Sequence, residues 1–130
     1  MILLDTDTCI EIIRGNQHVI DKRLEIDDRV GISFMTVGEL YYGAEKSKNR
    51  AKNKHLVDEF ILSIDVINSD MEILQKFGEI KADLHFKRTP LSDADILIAS
   101  TCLTKCKKLI TGNIKHFDRI ENLTIENWIR

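Results

Sequence analysis

Residues 2–14 read Ile-Leu-Leu-Asp-Thr-Asp-Thr-Cys-Ile-Glu-Ile-Ile-Arg, and this stretch indicates the class of the fold. The run Ile2-Leu3-Leu4 is apolar without interruption, which is typical of a buried strand. It ends at Asp5, and a helix is predicted to follow from Thr8 to Arg14. A short buried strand that leads into a helix is the repeating unit of a parallel α/β sheet.

The rest of the chain continues this alternation of strands and helices. Further strands are predicted at Val30 to Ser33, Ile64 to Ile67, Lys108 to Thr111 and Leu123 to Ile125. Helices are predicted from His18 to Ile26, around Val37 to Ala44, around Leu56 to Ile61, from Met71 to Leu84 and from Ser92 onward. We therefore predict an α/β fold with a central, mostly parallel sheet of four to five strands and helices on both faces.

Composition excludes several classes of protein. The chain has 130 residues, which suits one domain, and 43% of them are apolar and 31% charged, with one Pro and six Gly. These values exclude a disordered or collagen-like chain, and no apolar run is long enough for a transmembrane helix. The net charge of −2 excludes a uniformly basic nucleic-acid binder. The start of the chain resembles no secretory signal, so we expect a cytoplasmic protein with reduced thiols.

Acidic side chains follow or precede the predicted strands at positions that can converge. Asp5 ends the first strand, Asp93 and Asp95 open the helix that leads into the fourth strand, and Asn113 follows that strand. Glu39 lies early on the helix after the second strand. If strands one and four are neighbours, these groups meet in one crevice. Two carboxylates about 4 Å apart repel by roughly 4 kcal/mol at an effective dielectric of 20, so such a site takes up protons or a cation. Oxygen ligands favour Mg²⁺ or Mn²⁺.

Each of these residues also has a purely structural interpretation. Asp5 suits the cap of the next helix, and Asp93 and Asp95 suit the positive end of a helix dipole. Glu39 lies off the apolar stripe of its helix, as an ordinary solvated residue does. The pattern of residues by itself leaves both interpretations open.

Several segments, taken together and in order, resemble PIN-domain proteins, in particular the VapC-type toxins of bacterial toxin–antitoxin pairs. The resemblance spans the chain and is carried by Leu3-Leu4-Asp5-Thr6-Asp7-Thr8-Cys9-Ile10, by residues 33–44 (SFMTVGELYYGA), by residues 91–100 (LSDADILIAS), by Leu109-Ile110-Thr111-Gly112-Asn113 with His116-Phe117, and by residues 123–128 (LTIENW).

This resemblance implies a single PIN domain over residues 1–130, with a three-layer α/β/α fold. It also implies an Mg²⁺-dependent endoribonuclease, with Mn²⁺ as an alternative ion, that cleaves single-stranded RNA. Asp5, Glu39 and Asp95 match the acidic positions of the family, and Asp93 stands where an extra acid is often seen. Metal ligation is expected from Asp5 and Asp95, while Glu39 and Asp93 orient water or a second ion.

The chain departs from the family pattern at three positions near this site. Asp7 replaces the usual Asn, Asn113 stands where many relatives carry Asp or Asn, and His116 stands where some carry an acid. The supporting residues expected around the carboxylates are Thr6, Asp7, Thr111 and Asn113. Thr6 and Thr111 are expected to donate hydrogen bonds to them.

A basic tract precedes the fourth predicted helix and offers a surface for RNA phosphates. It consists of Lys46, Lys48, Arg50, Lys52 and Lys54, and the alternative is an ordinary solvated surface. The resemblance further implies a homodimer and a cognate antitoxin. Phe34, Tyr41 and Tyr42 could anchor either partner or belong to the core.

Two other functions compete with the nuclease. The first is a catalytically silent PIN-like module that binds RNA or a partner. The second is a receiver-like regulator, which needs a phosphoacceptor Asp at the end of a middle strand. The third strand offers Asp65 at its start instead.

Overall fold

The computed structural model describes residues 1–130 and contains a five-stranded sheet with seven helices. The elements in chain order are β1 (Ile2–Leu4), α1 (Thr6–Ile13), α2 (Gln17–Glu25), β2 (Val30–Ser33), α3 (Phe34–Glu45), α4 (Arg50–Leu62), β3 (Asp65–Ile67), α5 (Met71–Phe86), α6 (Asp93–Lys105), β4 (Lys108–Ile110), α7 (Ile114–Phe117) and β5 (Ile125–Glu126). The predicted α/β class is confirmed. No helix combines the length and apolar character that crossing a membrane requires.

The sheet has the order β3-β2-β1-β4-β5, and all four strand pairs are parallel. The chain winds outward from β1 through β2 to β3 and then returns to the other side of β1 for β4 and β5. The winding therefore reverses between β1 and β4, where Leu3 pairs with Leu109. In open α/β sheets, ligands bind beyond the carboxyl ends of the strands at this reversal point.

Residues of β1 alternate between two hydrophobic cores, which makes the domain three layers thick. Ile2 and Leu4 pack into a core with residues of α1 to α4, including Leu40 and Phe60. Leu3 faces the opposite side, into a core built mainly from α5, α6 and α7. All three residues of β1 are buried, because successive side chains of a strand point to opposite faces and both faces are covered by helices.

Capping side chains set the beginnings of several helices. The Ser33 hydroxyl accepts a hydrogen bond from the Thr36 backbone N–H at 3.1 Å, so α3 begins at Phe34 directly after β2. Ser92 caps α6 in the same way. The cap at Asp5 similarly starts α1 at Thr6, two residues before the predicted start.

The sequence did not predict α7. This helix has only four residues, so it shows less than two turns of hydrophobic periodicity. The apolar pair Ile114 and Phe117, directly after the Gly112-Asn113 turn, was the available signal. Phe117 is fully buried and holds α7 against the second core.

The two-core arrangement predicts a large cost for truncation of a residue in β4. Leu109 has no exposed surface, whereas 83% of Leu62 is exposed. We expect Leu109→Ala to lower the free energy of unfolding by about 2–5 kcal/mol, because it leaves a cavity in the second core. The matched control Leu62→Ala should change it by less than about 0.5 kcal/mol. Urea denaturation of both variants measures the difference, and equal losses would contradict the burial described here.

Candidate active site at the reversal point of the sheet

Asp5 lies at the carboxyl end of β1 and is almost completely buried, with 3% of its surface exposed. One carboxylate oxygen, Oδ1, accepts a hydrogen bond from the Thr6 backbone N–H at 2.8 Å. The other, Oδ2, accepts one from the Thr111 hydroxyl at 2.7 Å. Asp5 is thus the N-cap of α1 and is also joined to the end of β4. The prediction that Asp5 caps the next helix is confirmed, and this role is compatible with a second role in a metal site.

The environment of Asp5 opposes its negative charge. Burial raises the pKa of Asp5 from 3.8 to about 7, with a further contribution from the Asp7 carboxylate and a smaller one from Asp95. The hydrogen bonds from Thr111 and from the Thr6 backbone act in the opposite direction and lower it. None of the ion pairs in the structure includes Asp5 or Asp7. The pocket therefore concentrates negative charge without a neighbouring protein cation.

Asp7 connects the first turn of α1 to the loop after β4. Its Oδ2 accepts a hydrogen bond from the Gly112 backbone N–H at 2.8 Å, and its Oδ1 accepts one from the Thr8 backbone N–H at 2.7 Å. Burial raises the pKa of Asp7. A Cβ atom at position 112 would lie 2.8 Å from Asp7 Oδ2, so only glycine allows this close approach. Asp7 therefore fixes the loop and adds charge beside Asp5.

Glu39 reaches the same region from α3. Its Oε1 accepts a hydrogen bond from the Thr6 hydroxyl at 2.6 Å, and the Thr36 hydroxyl lies 3.1 Å from that of Thr6. Thr6 is the residue next to Asp5 in the chain, so the predicted convergence of Glu39 on this end of the sheet is observed. Thr6 and Thr111 both donate to carboxylates, as the sequence analysis expected.

The two acids of α6 have different surroundings. Asp95 is partly buried, with 23% of its side chain exposed, and its charge contributes to the raised pKa of Asp5. Asp93 is mostly exposed and forms an ion pair with Lys81 at 2.9 Å. Residues two apart on a helix point in different directions. The structure therefore brings Asp95 toward Asp5 and turns Asp93 toward α5.

Asn113 and His116 follow β4. The Asn113 backbone N–H donates to the Thr111 hydroxyl at 3.0 Å, while its exposed side chain makes no capping bond to α7. His116 lies on α7, with its Nδ1 atom 3.6 Å from Asp95 Oδ2. From the sequence, only the family resemblance points to His116 near the acids, because the four residues of α7 give no helical signal of their own.

The donor set suits a hard divalent cation that keeps most of its water. Nowhere in the chain do three His, Cys, Asp or Glu side chains form a ready metal site. Mg²⁺, however, usually retains several waters and takes only one or two protein carboxylates. Asp5 and Asp95 supply two carboxylates. Because burial and the nearby acids disfavour the ionised form of Asp5, a cation bound beside it would be electrostatically favourable. The residues present therefore fit Mg²⁺ or Mn²⁺.

A groove of about 590 Å³ extends from Thr6 and Glu39 along α1, α3 and α4. Tyr42 and Lys46 also line it, and the Lys46 ammonium lies 4.8 Å from the centre of the Tyr42 ring. Tyr42 is exposed, so it is not a core residue. The basic tract thus begins at the edge of a groove that contains Glu39.

The raised pKa of Asp5 predicts a specific dependence of stability on pH. The folded state holds a proton on Asp5 up to about pH 7, whereas the unfolded chain releases it near pH 3.8. The free energy of unfolding of the metal-free protein should therefore fall as pH rises between these values. Asp5→Asn removes this loss, so we expect the variant to be more stable than the natural chain by about 4 kcal/mol at pH 8 and by only about 1–2 kcal/mol at pH 5.

Urea denaturation in EDTA at pH 5 and pH 8 measures this difference. Asp27→Asn is the matched control, because Asp27 is an exposed acid in the loop before β2. Parallel pH profiles for the natural chain and Asp5→Asn would contradict the electrostatics described here.

The chain matches known proteins along nearly its whole length. The sequence model of the PIN domain matches residues 2–123. Ribonuclease VapC2 of Rickettsia felis is 33% identical over 129 residues, which cover 97% of this chain and 96% of that protein. The tRNA(fMet)-specific endonuclease VapC of Salmonella typhimurium is 35% identical over 127 residues, with the same two coverages.

Solved structures agree with these sequence matches. A chain of the DNA-bound VapBC complex of Salmonella typhimurium superimposes with a TM-score of 0.91 at 34% identity, covering 98% of this chain and 97% of that one. A chain of the Rickettsia felis VapBC2 complex, bound to a promoter DNA fragment, gives 0.90 at 32% identity, covering 98% and 99%. With its parallel sheet, its two cores and the acids at the reversal point, this chain belongs to the PIN-domain family, and within it to the VapC-type ribonucleases.

Proposed function

We propose that this protein is an Mg²⁺-dependent endoribonuclease that cleaves phosphodiester bonds of single-stranded RNA. The observation that carries the proposal is the buried Asp5 carboxylate at the reversal point, close to Asp7 and Asp95 and without a protein cation. Relatives at about one-third identity are named ribonuclease or tRNA(fMet)-specific endonuclease. Both facts support a hydrolase that acts on RNA.

We assign the direct contacts with the ion to Asp5 and Asp95. A divalent ion at this position would lower the pKa of a water molecule and neutralise charge on the phosphodiester. Thr111 and the Thr6 backbone fix the direction of the Asp5 carboxylate. Glu39, held by Thr6, is assigned the orientation of water near the phosphate.

Asp93, Asp7 and Asn113 are assigned indirect roles. Asp93 faces Lys81 and so has no direct contact with the ion in this proposal. It can act on the site only through water. Asp7 and Asn113 position the loop after β4 through Gly112 and Thr111.

Cleavage of single-stranded RNA by the purified chain tests the activity. We expect cleavage with Mg²⁺ or Mn²⁺, none in EDTA, and a loss of at least about 100-fold in Asp5→Asn and Asp95→Asn, because each removes one carboxylate from the ion. Asp27→Asn should cleave like the natural chain. Cleavage that persists in EDTA and in both site variants would overturn the proposal.

Two alternatives give different outcomes in the same assay. A catalytically silent PIN module would bind RNA and show no turnover with any divalent ion. The receiver-like regulator is disfavoured by the structure. Asp65 opens β3 at the opposite end of the sheet and pairs with Arg29 at 2.8 Å, so it is not placed to accept a phosphate beside Asp5.

We further propose that the basic tract binds RNA phosphates beside the site. Lys48, Arg50 and Lys52 are exposed and form no ion pair, whereas Lys54 pairs with Glu45 at 3.3 Å. Lys46 lines the groove that contains Glu39. An acidic site repels RNA, and free cations at its edge offset that repulsion.

The salt dependence of RNA binding tests this surface. In EDTA, where cleavage is absent, replacing Lys48, Arg50 and Lys52 by Gln should reduce the slope of log affinity against log salt by about 2, because roughly 0.7 counterions are released per contact with single-stranded RNA. The control replaces Lys76, Arg88 and Lys107 by Gln and removes the same charge elsewhere. Equal slopes in the two triple variants would show that the tract is ordinary solvated surface.

We also propose a cognate antitoxin and a homodimer as the protein's assemblies. The superimposable structures from Salmonella typhimurium and Rickettsia felis are VapBC complexes. A basic side chain of a partner can supply the positive charge that Asp5 and Glu39 lack. The exposed Tyr42 ring beside Glu39 offers such a partner an apolar contact. Both RNA and antitoxin are consistent with the expected cytoplasmic location.

A further inference from the structure

His116 is the only basic side chain within ion-pair distance of the acids assigned to the ion. Its Nδ1 atom lies 3.6 Å from Asp95 Oδ2, and 53% of its side chain is exposed. This separation exceeds the length of a charge-assisted hydrogen bond, about 2.7–2.9 Å. The imidazole therefore faces Asp95 without being hydrogen-bonded to it.

The separation is close to that of two atoms that bind the same ion. Ligand nitrogen and oxygen atoms at about 2.1 Å from a small divalent ion are about 3.0 Å apart at a right angle and about 3.4 Å apart at a tetrahedral angle. A small change in the His116 side-chain torsions would bring its nitrogen to that distance from the Asp95 oxygen.

The backbone of His116 is held in place by a hydrogen bond and by the burial of the residue that follows it. The His116 N–H donates to the Asn113 carbonyl at 3.1 Å, and the next residue, Phe117, is fully buried in the second core. The imidazole thus projects toward Asp95 from a short helix that is anchored beside β4, and only its side chain has to move.

We propose that His116 is a ligand of the divalent ion assigned to Asp5 and Asp95, and that it shifts the preference of the site from Mg²⁺ toward Mn²⁺. This inference rests on the proposed function. Mg²⁺ binds almost exclusively to oxygen, whereas imidazole nitrogen is a good ligand for transition metals. A site that takes the His116 imidazole in place of a water molecule exchanges one oxygen ligand for nitrogen. His116 therefore acts as a determinant of metal specificity.

Pulsed electron paramagnetic resonance of the Mn²⁺-loaded chain tests this assignment without an activity measurement. A directly bound imidazole nitrogen gives a characteristic modulation of the Mn²⁺ spin echo. We expect this signal in the natural chain and its loss in His116→Gln and His116→Glu. His85→Gln is the matched control, because His85 is exposed on α5 and forms no ion pair, and it should keep the signal.

Calorimetric titration gives the second measurement. The ratio of Mn²⁺ to Mg²⁺ affinity should fall by at least about tenfold in His116→Glu, because the carboxylate supplies an oxygen ligand in place of nitrogen. Circular dichroism of each variant tests whether it is folded.

The possible failures are distinguishable. Mn²⁺ binding that depends on Asp5 but shows no nitrogen modulation, with an unchanged Mn²⁺ to Mg²⁺ ratio in His116→Glu, would overturn the role of His116 alone. Mn²⁺ binding that is absent from the natural chain, or equally strong in Asp5→Asn, would overturn the metal site and with it this inference.

Discussion

The hydrogen bond from the Thr111 hydroxyl to the Asp5 carboxylate joins the ends of the two central strands, and the geometry of the site depends on it. Asp5 directly follows β1 and caps α1, while Thr111 directly follows β4 and begins the loop that leads to α7. The same loop is held a second time by Asp7, through the Gly112 N–H. These two contacts fix the reversal point of the sheet, so a shift of either strand end would separate Asp5 from its neighbours.

The burial of Asp5 lowers the stability of the domain when the carboxyl is ionised, but it also favours the binding of a positive group. An ionised carboxylate with two hydrogen bonds is still poorly solvated compared with one in water, and Asp7 adds repulsion from close by. A neutral side chain of the same shape would make the metal-free domain more stable at neutral pH. A site whose charge is opposed by its surroundings has, however, a strong affinity for any positive group that enters. A divalent ion, a basic side chain of a partner protein and a proton would each offer that charge, and they would compete for the same position.

The immediate neighbours of the acids divide them into two groups. Asp5, Asp7 and Glu39 receive hydrogen bonds from hydroxyl or backbone donors and face no protein cation. Asp93 forms an ion pair with Lys81, and Asp95 stands between the groups because it faces the His116 imidazole at 3.6 Å without a hydrogen bond to it. Identical side chains separated by two residues in α6 therefore have different chemistry, which arises from the elements packed against each face.

Local sequence determined most of the secondary structure and the candidate acids. The apolar run before Asp5, the Ser92 cap and the acids after it are short-range signals, because strand burial and helix capping depend on a few adjacent residues. The α/β class follows from their alternation, and the family resemblance selected Asp5, Glu39 and Asp95 among 21 acidic residues. Only the tertiary structure decided that β4 lies beside β1, that Asp93 faces Lys81 and that His116 faces Asp95. Parallel strands pair through backbone groups that every residue carries, so their order is a property of the whole packed domain. The position of α7 likewise depends on the core around Phe117, whose residues come from distant parts of the chain.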